Sequence, residues 1–254
     1  MAKFAFIFDQ DGTLLHNKAF KYAIENVPRV LGLTIDSEEF YNIFLDTYYE
    51  YMQAGNFKEA FDWEVISSAT LKKLGFDYVY GTFNNLMVEG IKKCMVQAKD
   101  GAVDVLRTIK EKEGVVYVLT NGYYQYQYPA LKKAGLVDYI DKVITNDQLD
   151  EPKPLLGAFK KALSMISLSD DKIFYVGDHP FIDIYGAIVA GINNIFWITL
   201  DYSSGRYHVE DICDFIAQYS WAKYRYRVQM REHLDKVIHV INRLDELLEF
   251  INEL

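Results

Sequence analysis

Apolar residues follow two distinct patterns along the chain. Some runs are short, nearly continuous and rich in β-branched and aromatic side chains: Phe4-Ala5-Phe6-Ile7-Phe8, Val115-Val116-Tyr117-Val118-Leu119, Lys142-Val143-Ile144, Ile173-Phe174-Tyr175-Val176 and Asn194-Ile195-Phe196-Trp197-Ile198. Such runs are too short for helices and predict strands buried on both faces. Between them, residues 101–112, 125–134, 154–166 and 181–190 read as helices. Strands alternating with helices predict an α/β fold, a Rossmann-like parallel sheet with right-handed crossovers. Residues 15–97 break that rhythm. They show no strand pattern and read as several helices punctuated by Gly32, Gly55-Asn56 and Gly75, which predicts a helical insert after the first strand. Farther on, Met230, Leu234, Val237, Ile241, Leu244, Leu248 and Ile251 follow alternating steps of four and three, the seam of a C-terminal amphipathic helix. The predicted organisation is an α/β core over 1–14 and 98–221, a helical insert over 15–97 and a terminal helix over 222–254.

Composition narrows the class without naming it. Half of the 254 residues are hydrophobic and a quarter are charged, as in ordinary globular proteins. A net charge of -9 argues against a broad nucleic-acid surface, though not against a small anion in a local positive pocket. No run approaches the roughly 18 apolar residues that suggest a membrane span. No signal-type run precedes the first strand, so the expected compartment is the cytoplasm. Cys94 and Cys213 lack metal-type spacing and read as buried small hydrophobes in a reducing compartment. The 20 Tyr, 16 Phe and 3 Trp are expected mainly to build core.

Chemistry-bearing residues lie just past the predicted strands. Asp9 and Asp11 leave the first strand two residues apart, a spacing that calls for a cation or a shared proton, and Gly12 lets the chain turn away. Thr120-Asn121-Gly122 follows the second strand, offering a hydroxyl and turn amides suited to phosphate oxygens. Glu151-Pro152-Lys153-Pro154 holds one lysine between two prolines. Gly177-Asp178-His179-Pro180 ends the fourth strand, with Asp183 on the first turn of the next helix. Each segment alone is an ordinary turn. Together they point into one crevice beyond the carboxyl ends of parallel strands. Carboxylates, a hydroxyl, a lysine and free amides in one place suit Mg²⁺ and phosphate.

The ordered segments DQDGT, LTNG, EPKP and GDHPFID resemble the four motifs of the haloacid dehalogenase-like hydrolase superfamily, over residues 4 to about 200. The resemblance is to its phosphatase branch with a helical cap after the first motif. It implies a Mg²⁺-dependent phosphomonoester hydrolase acting on a small soluble phosphate such as a nucleotide, sugar phosphate or phosphoglycolate. Asp9 would be the nucleophile that becomes an aspartyl phosphate, and Asp11 the acid and then base. Thr120, with Asn121 and Gly122, would hold phosphate oxygens, and Lys153 would offset charge on phosphate and on Asp9. Asp178 would bind Mg²⁺ beside Asp9 and the Asp11 main-chain carbonyl, with Asp183 in support. An acid at position 11 separates the chain from members that displace halide, which needs no proton on leaving.

Gln10, often apolar in such proteins, is a departure to which no mechanistic role is given. His179 reads as a structural turn residue. Among the aromatics of the insert, Tyr41, Phe44, Tyr48, Tyr49, Tyr51, Phe57, Phe61 and Trp63, most are expected to pack its core. One or two near Gly55-Asn56 are candidates to stack on a ring of the substrate. A phosphomutase with the same intermediate, and a non-catalytic binding or regulatory module, are the alternatives. The expected partner is a small phosphorylated substrate, with no nucleic acid and no membrane. A homodimer through the C-terminal helix is a further possibility.

Overall fold

The computed structural model describes residues 2–254. From the first strand, β1 (Ala5–Phe8), the chain enters β2 (Leu15–Asn17) and then five helices: α1 (Ala19–Val30), α2 (Ser37–Gln53), α3 (Phe57–Ala60), α4 (Trp63–Lys73) and α5 (Thr82–Lys92). It returns through β3 (Val96–Ala98), α6 (Ala102–Glu111), β4 (Val115–Leu119), α7 (Tyr124–Lys133) and β5 (Lys142–Ile144). Next come α8 (Leu156–Leu163), β6 (Ile173–Gly177), a π-helical turn over Pro180–Tyr185 that runs into α9 (Gly186–Val189), and β7 (Asn194–Ile198). The last elements are β8 (Gly205–His208), α10 (Val209–Tyr224), β9 (Val237–Ile241) and α11 (Leu247–Glu253). No described helix is long and apolar enough to cross a membrane.

The main sheet has the order β5-β4-β1-β6-β7-β9-β8, and only β8 runs antiparallel to its neighbour. Its central strands are buried on both faces, which is why they read as unbroken apolar runs. Phe6, Phe8, Phe174, Val176 and Phe196 face a core shared with α6, α7 and the insert. Ile7, Leu119, Tyr175, Ile195 and Trp197 face the helices α8, α9 and α10. Register aligns the strand tips: Phe8 lies opposite Val118 on one side and Val176 on the other. The residues that follow each tip therefore emerge at one edge.

The insert contains strands that its sequence did not announce. β2 and β3 pair antiparallel, with Leu15 opposite Ala98, and form a narrow stalk from which the five helices grow. Three residues each, two of them polar in β2, are too few for a period-2 signal. Asp36 and Asp62 cap α2 and α4 by accepting backbone N–H groups of their first turns.

The terminal helix expected over 222–254 does not form as such. Residues 237–241 instead make β9, inserted between β7 and β8, and only Leu247–Glu253 are helical as α11. Val237, Ile238, Val240 and Ile241 are β-branched, so the segment suits a pleated surface. The four-residue step from Val237 to Ile241 that resembled a heptad seam is also an even strand step. With the seam gone, the helix face on which a homodimer was to rest is absent. The cysteine expectation is also corrected: Cys94, in the turn after α5, is exposed, Cys213 is partly exposed, and neither is paired.

Ile238 lies off the supposed seam but is fully buried in the sheet. Ile238→Ala should therefore cost about 2–5 kcal/mol in chemical denaturation. An exposed helical position would instead gain slightly from alanine.

Candidate active site

The tips of β1, β4 and β6 deliver Asp9, Thr120 and Asp178 to one crevice, and the loop before α8 brings in Lys153. Asp9 donates its backbone N–H to Val176 O at 2.8 Å, which fixes it against the neighbouring strand. Lys153 is 1 % exposed, and its Nζ donates to Asp9 Oδ1 at 2.6 Å and Asp183 Oδ1 at 2.7 Å. Tyr175 donates its hydroxyl to the same Asp183 oxygen at 2.7 Å and sits 3.3 Å from Lys153 Nζ. The other Asp183 oxygen accepts the His179 N–H at 3.0 Å. Asp178 accepts from the Thr13 hydroxyl at 3.3 Å. Gly12 has φ +93°, and a side chain there would collide with the Asp178 carboxylate, so glycine answers both constraints.

Asp9, Asp178 and Asp183 each offer a carboxylate oxygen within 4.8 Å of the others. Three carboxylates around one ammonium leave negative charge uncompensated. Burial, then the Asp183 charge, pushes Asp9 well above the ordinary carboxylate range despite Lys153. The same two causes push Asp178 up to about 7. Burial also works against charge on Asp183, but the Lys153 charge and hydrogen bond outweigh it and hold that carboxyl low. The ammonium thus chiefly serves Asp183, while Asp9 and Asp178 are left wanting a cation. Hard oxygen donors of this kind fit Mg²⁺.

Asp11 lies across the crevice, open to its water. Its Oδ1 accepts from Asn17 Nδ2 at 3.0 Å and its Oδ2 from Gln127 Nε2 at 3.1 Å. The protein packed around it raises its pKa, and those two bonds oppose the rise. Thr120 is buried, and its Oγ1 accepts from Gln127 Nε2 at 2.8 Å. The Asn121 side chain turns to the Lys153 backbone, donating to its carbonyl at 2.9 Å and accepting its N–H at 3.0 Å. That reciprocal pair anchors the lysine. Gly122, with φ +122°, leaves room for the Gln127 amide.

His179 is structural, as its turn position suggested. Its Nδ1 accepts the N–H groups of Phe181 at 3.2 Å and Ile182 at 3.0 Å, capping the π-helical turn. Burial lowers its pKa to about 4, so the ring is neutral and Nε2 carries the proton toward the Tyr224 hydroxyl at 3.1 Å.

Sequence reasoning did not single out Asn17, Lys99, Gln127 or Tyr175, and gave Gln10 no role. Lys99 donates to the Gly12 carbonyl, and its charge opposes the rise at Asp178. Tyr175 was hidden in an apolar strand and Gln127 in a helix. Gln10 alone carried a signal, being polar where a buried position asks for an apolar side chain.

Between core and insert lies a cavity of about 260 Å³, lined by Asp11, Asn17, Asn121 and Gln127 at one end and by Phe20, Leu45, Tyr48, Trp63, Met87 and Tyr126 over the rest. Tyr48 and Trp63 reach it. Phe57, nearest the Gly55-Asn56 break, instead lines a separate cleft with Met52 and Pro154.

The family model for haloacid dehalogenase-like hydrolases matches residues 5–191. The chain is 26% identical over 249 residues to the glyceraldehyde 3-phosphate phosphatase of Pyrococcus furiosus, covering 95% of this chain and 91% of the relative. It is 33% identical over 102 residues to the pyrimidine 5'-nucleotidase PynA of Streptococcus pneumoniae, covering 40% and 43%. Among solved structures, the magnesium-bound putative HAD-hydrolase YfnB of Bacillus subtilis superposes with a TM-score of 0.68 at 19% identity, covering 99% of this chain and 100% of that one.

The raised carboxyl of Asp178 has a thermodynamic consequence. The folded state keeps a proton that the unfolded chain releases, so this contribution to stability is lost as pH rises between about 4 and 7. In chelator, the thermal midpoint of the wild type should fall across that window more steeply than that of Asp178→Asn. Added Mg²⁺ should flatten the wild-type curve, and equal slopes for the two proteins would contradict the charge assignment.

Proposed function

The chain belongs to the haloacid dehalogenase-like hydrolases, and we propose that it is a Mg²⁺-dependent phosphatase of small phosphomonoesters working through an aspartyl phosphate. The observation that carries this reading is Lys153 bound to Asp9 and Asp183 in a crevice that also holds Asp178, Thr120 and Asp11. Mg²⁺, held by Asp9, Asp178 and Asp183 and the main chain at Asp11, would supply positive charge to offset the phosphate dianion.

In the first half-reaction an Asp9 carboxylate oxygen attacks phosphorus. The bond from phosphorus to the ester oxygen breaks, its electron pair leaves with that oxygen, and Asp11 delivers the proton. In the second, the Asp11 carboxylate takes a proton from water as the water oxygen attacks the phosphorus of the aspartyl phosphate. Inorganic phosphate departs and the Asp9 carboxylate returns. Two easier displacements thereby replace one difficult one. Thr120 and the amides of Asn121 and Gly122 hold the phosphate oxygens, and Lys153 offsets charge on Asp9 and phosphate. The protein packed around Asp11 raises its pKa, which favours the proton-bearing form that the first half-reaction uses.

The insert over 15–97 acts as a cap that closes on the leaving group. The cavity beneath it has no lysine, arginine or histidine in its lining, and most of that lining is apolar or aromatic. An uncharged, compact leaving group fits, as in a nucleoside monophosphate or sugar phosphate. The carboxylate of phosphoglycolate would be buried there without a cationic partner, at a cost that disfavours it. The names of two relatives, a glyceraldehyde 3-phosphate phosphatase and a pyrimidine 5'-nucleotidase, agree with this narrowing. The matching compartment is the cytoplasm, where such esters occur in solution.

Phosphate release from a panel of esters should require Mg²⁺, stop in excess chelator, and drop at least about a thousandfold in Asp9→Asn. Within the panel, phosphoglycolate should have a kcat/KM about tenfold or more below the better of a nucleoside monophosphate and a triose phosphate. Undiminished turnover in chelator would remove the metal from the reading.

A further inference from the structure

From hydrogen bonds that bind Gln10, Gln127, Thr120 and Asp11 into one chain, we infer that Gln127 is a positioning residue for the proton-transfer step and that Gln10 holds it in place. The inference rests on the phosphatase reading above; it adds Gln127, which lies outside the motifs, and gives a role to Gln10, which had none within the first.

Gln127 lies one turn into α7, 5 % exposed, and its Nε2 stands 3.1 Å from Asp11 Oδ2, 2.8 Å from Thr120 Oγ1 and 2.9 Å from the Asn121 carbonyl oxygen. A carbonyl oxygen and a carboxylate can only accept. The atom facing them must therefore be the amide nitrogen, whichever way an isolated glutamine might be turned. That fixes Gln127 Oε1 on the opposite side, where Gln10 Nε2 donates to it at 3.0 Å and lies 3.3 Å from the Gln127 carbonyl. The two N–H groups of Gln127 face three acceptors, so one is shared between two of them, and the donors run one way, from Gln10 through Gln127 toward Thr120 and Asp11.

This direction has chemical content. Because Thr120 Oγ1 accepts from Gln127, its own hydroxyl proton has only a long contact of 3.4 Å to the Asn121 carbonyl to exchange for a phosphate oxygen. Because Asp11 Oδ2 is held by Gln127 and Oδ1 by Asn17, the carboxyl is oriented from both sides. A proton donor misplaced by as little as an ångström loses much of its effect.

Gln10 shows that the arrangement is not incidental packing. It is fully buried in the turn just past β1, and its own Oε1 has no hydrogen-bond partner. An unsatisfied buried carbonyl costs stability that an apolar side chain of similar shape would avoid. A residue that served packing alone would be better as methionine or leucine. The loss is explained if the other end of the same amide is needed to lock Gln127.

The test is the dependence of kcat/KM on the leaving group. A p-nitrophenolate departs with little help from a proton, whereas an alkoxide requires one. Gln127→Met keeps the length of the side chain and removes both its donors and its acceptor. Relative to wild type, it should lower kcat/KM on glycerol phosphate about tenfold more than on p-nitrophenyl phosphate, a loss of the size expected for one hydrogen bond to a charged group. Gln10→Met should shift the same ratio in the same direction by less, with an unchanged or higher thermal midpoint. In an Asp11→Asn background, where the proton donor is gone, Gln127→Met should leave the ratio where Asp11→Asn alone puts it.

A ratio unchanged in Gln127→Met, with both esters losing alike or neither losing, overturns the positioning role. So does a Gln10→Met protein that is more stable and equally active on both esters. A wild type inactive on every phosphomonoester with Mg²⁺ overturns the phosphatase reading, and this inference with it.

Discussion

One buried ammonium shared by two carboxylates is the interaction on which the rest depends. Lys153 can stay charged at 1 % exposure only because Asp9 and Asp183 meet it at 2.6 and 2.7 Å, and burying those charges apart would cost several kcal/mol each. Each partner comes from a different segment. Asp9 leaves β1, Asp183 sits on the turn after β6, and Lys153 is tied by its backbone to Asn121 beyond β4. The register of β4, β1 and β6 is therefore a condition for the charges to coexist, because a slip in either pairing would strand one of them.

The same cluster is deliberately incomplete. Lys153 satisfies Asp183 and leaves Asp9 and Asp178 with raised pKa values and oxygens converging within 4.8 Å. A cation placed among these oxygens would therefore stabilise the fold most near neutrality. The same arrangement also leaves Asp9 only partly offset by the lysine.

On the other wall of the crevice the chemistry is of another kind. Asp11, Thr120 and the two glutamines form a network in which orientation matters more than net charge. The insert then closes a largely apolar chamber over this wall. Its aromatic side chains, Phe20, Tyr48 and Trp63, pack edge-on or tilted against one another and against Phe44 and Phe83, so the chamber is an outgrowth of the insert's own core. The lining of the chamber is thus made of the residues that also stabilise the insert.

Much of this was legible in the order of residues. The central strands showed as apolar runs because a parallel sheet buries both faces, and the catalytic candidates followed because chemistry collects where those strands end. The heptad reading of the tail failed because four-residue steps suit a strand's period of two as well as a helix's period near 3.6. Only the pairing of β9 with β7 and β8 decides between them. Gln127, Tyr175 and Asn17 were illegible for a different reason: single polar side chains in a helix and two strands leave no period, and nothing in the local pattern says which group each will meet. Local pattern determined the elements, the edge where they end and the acids at that edge. Tertiary structure decided which carboxylates hold the lysine, which aromatic residues line the cavity between core and insert and which amide meets Asp11, because each depends on contacts between segments that no local pattern encodes.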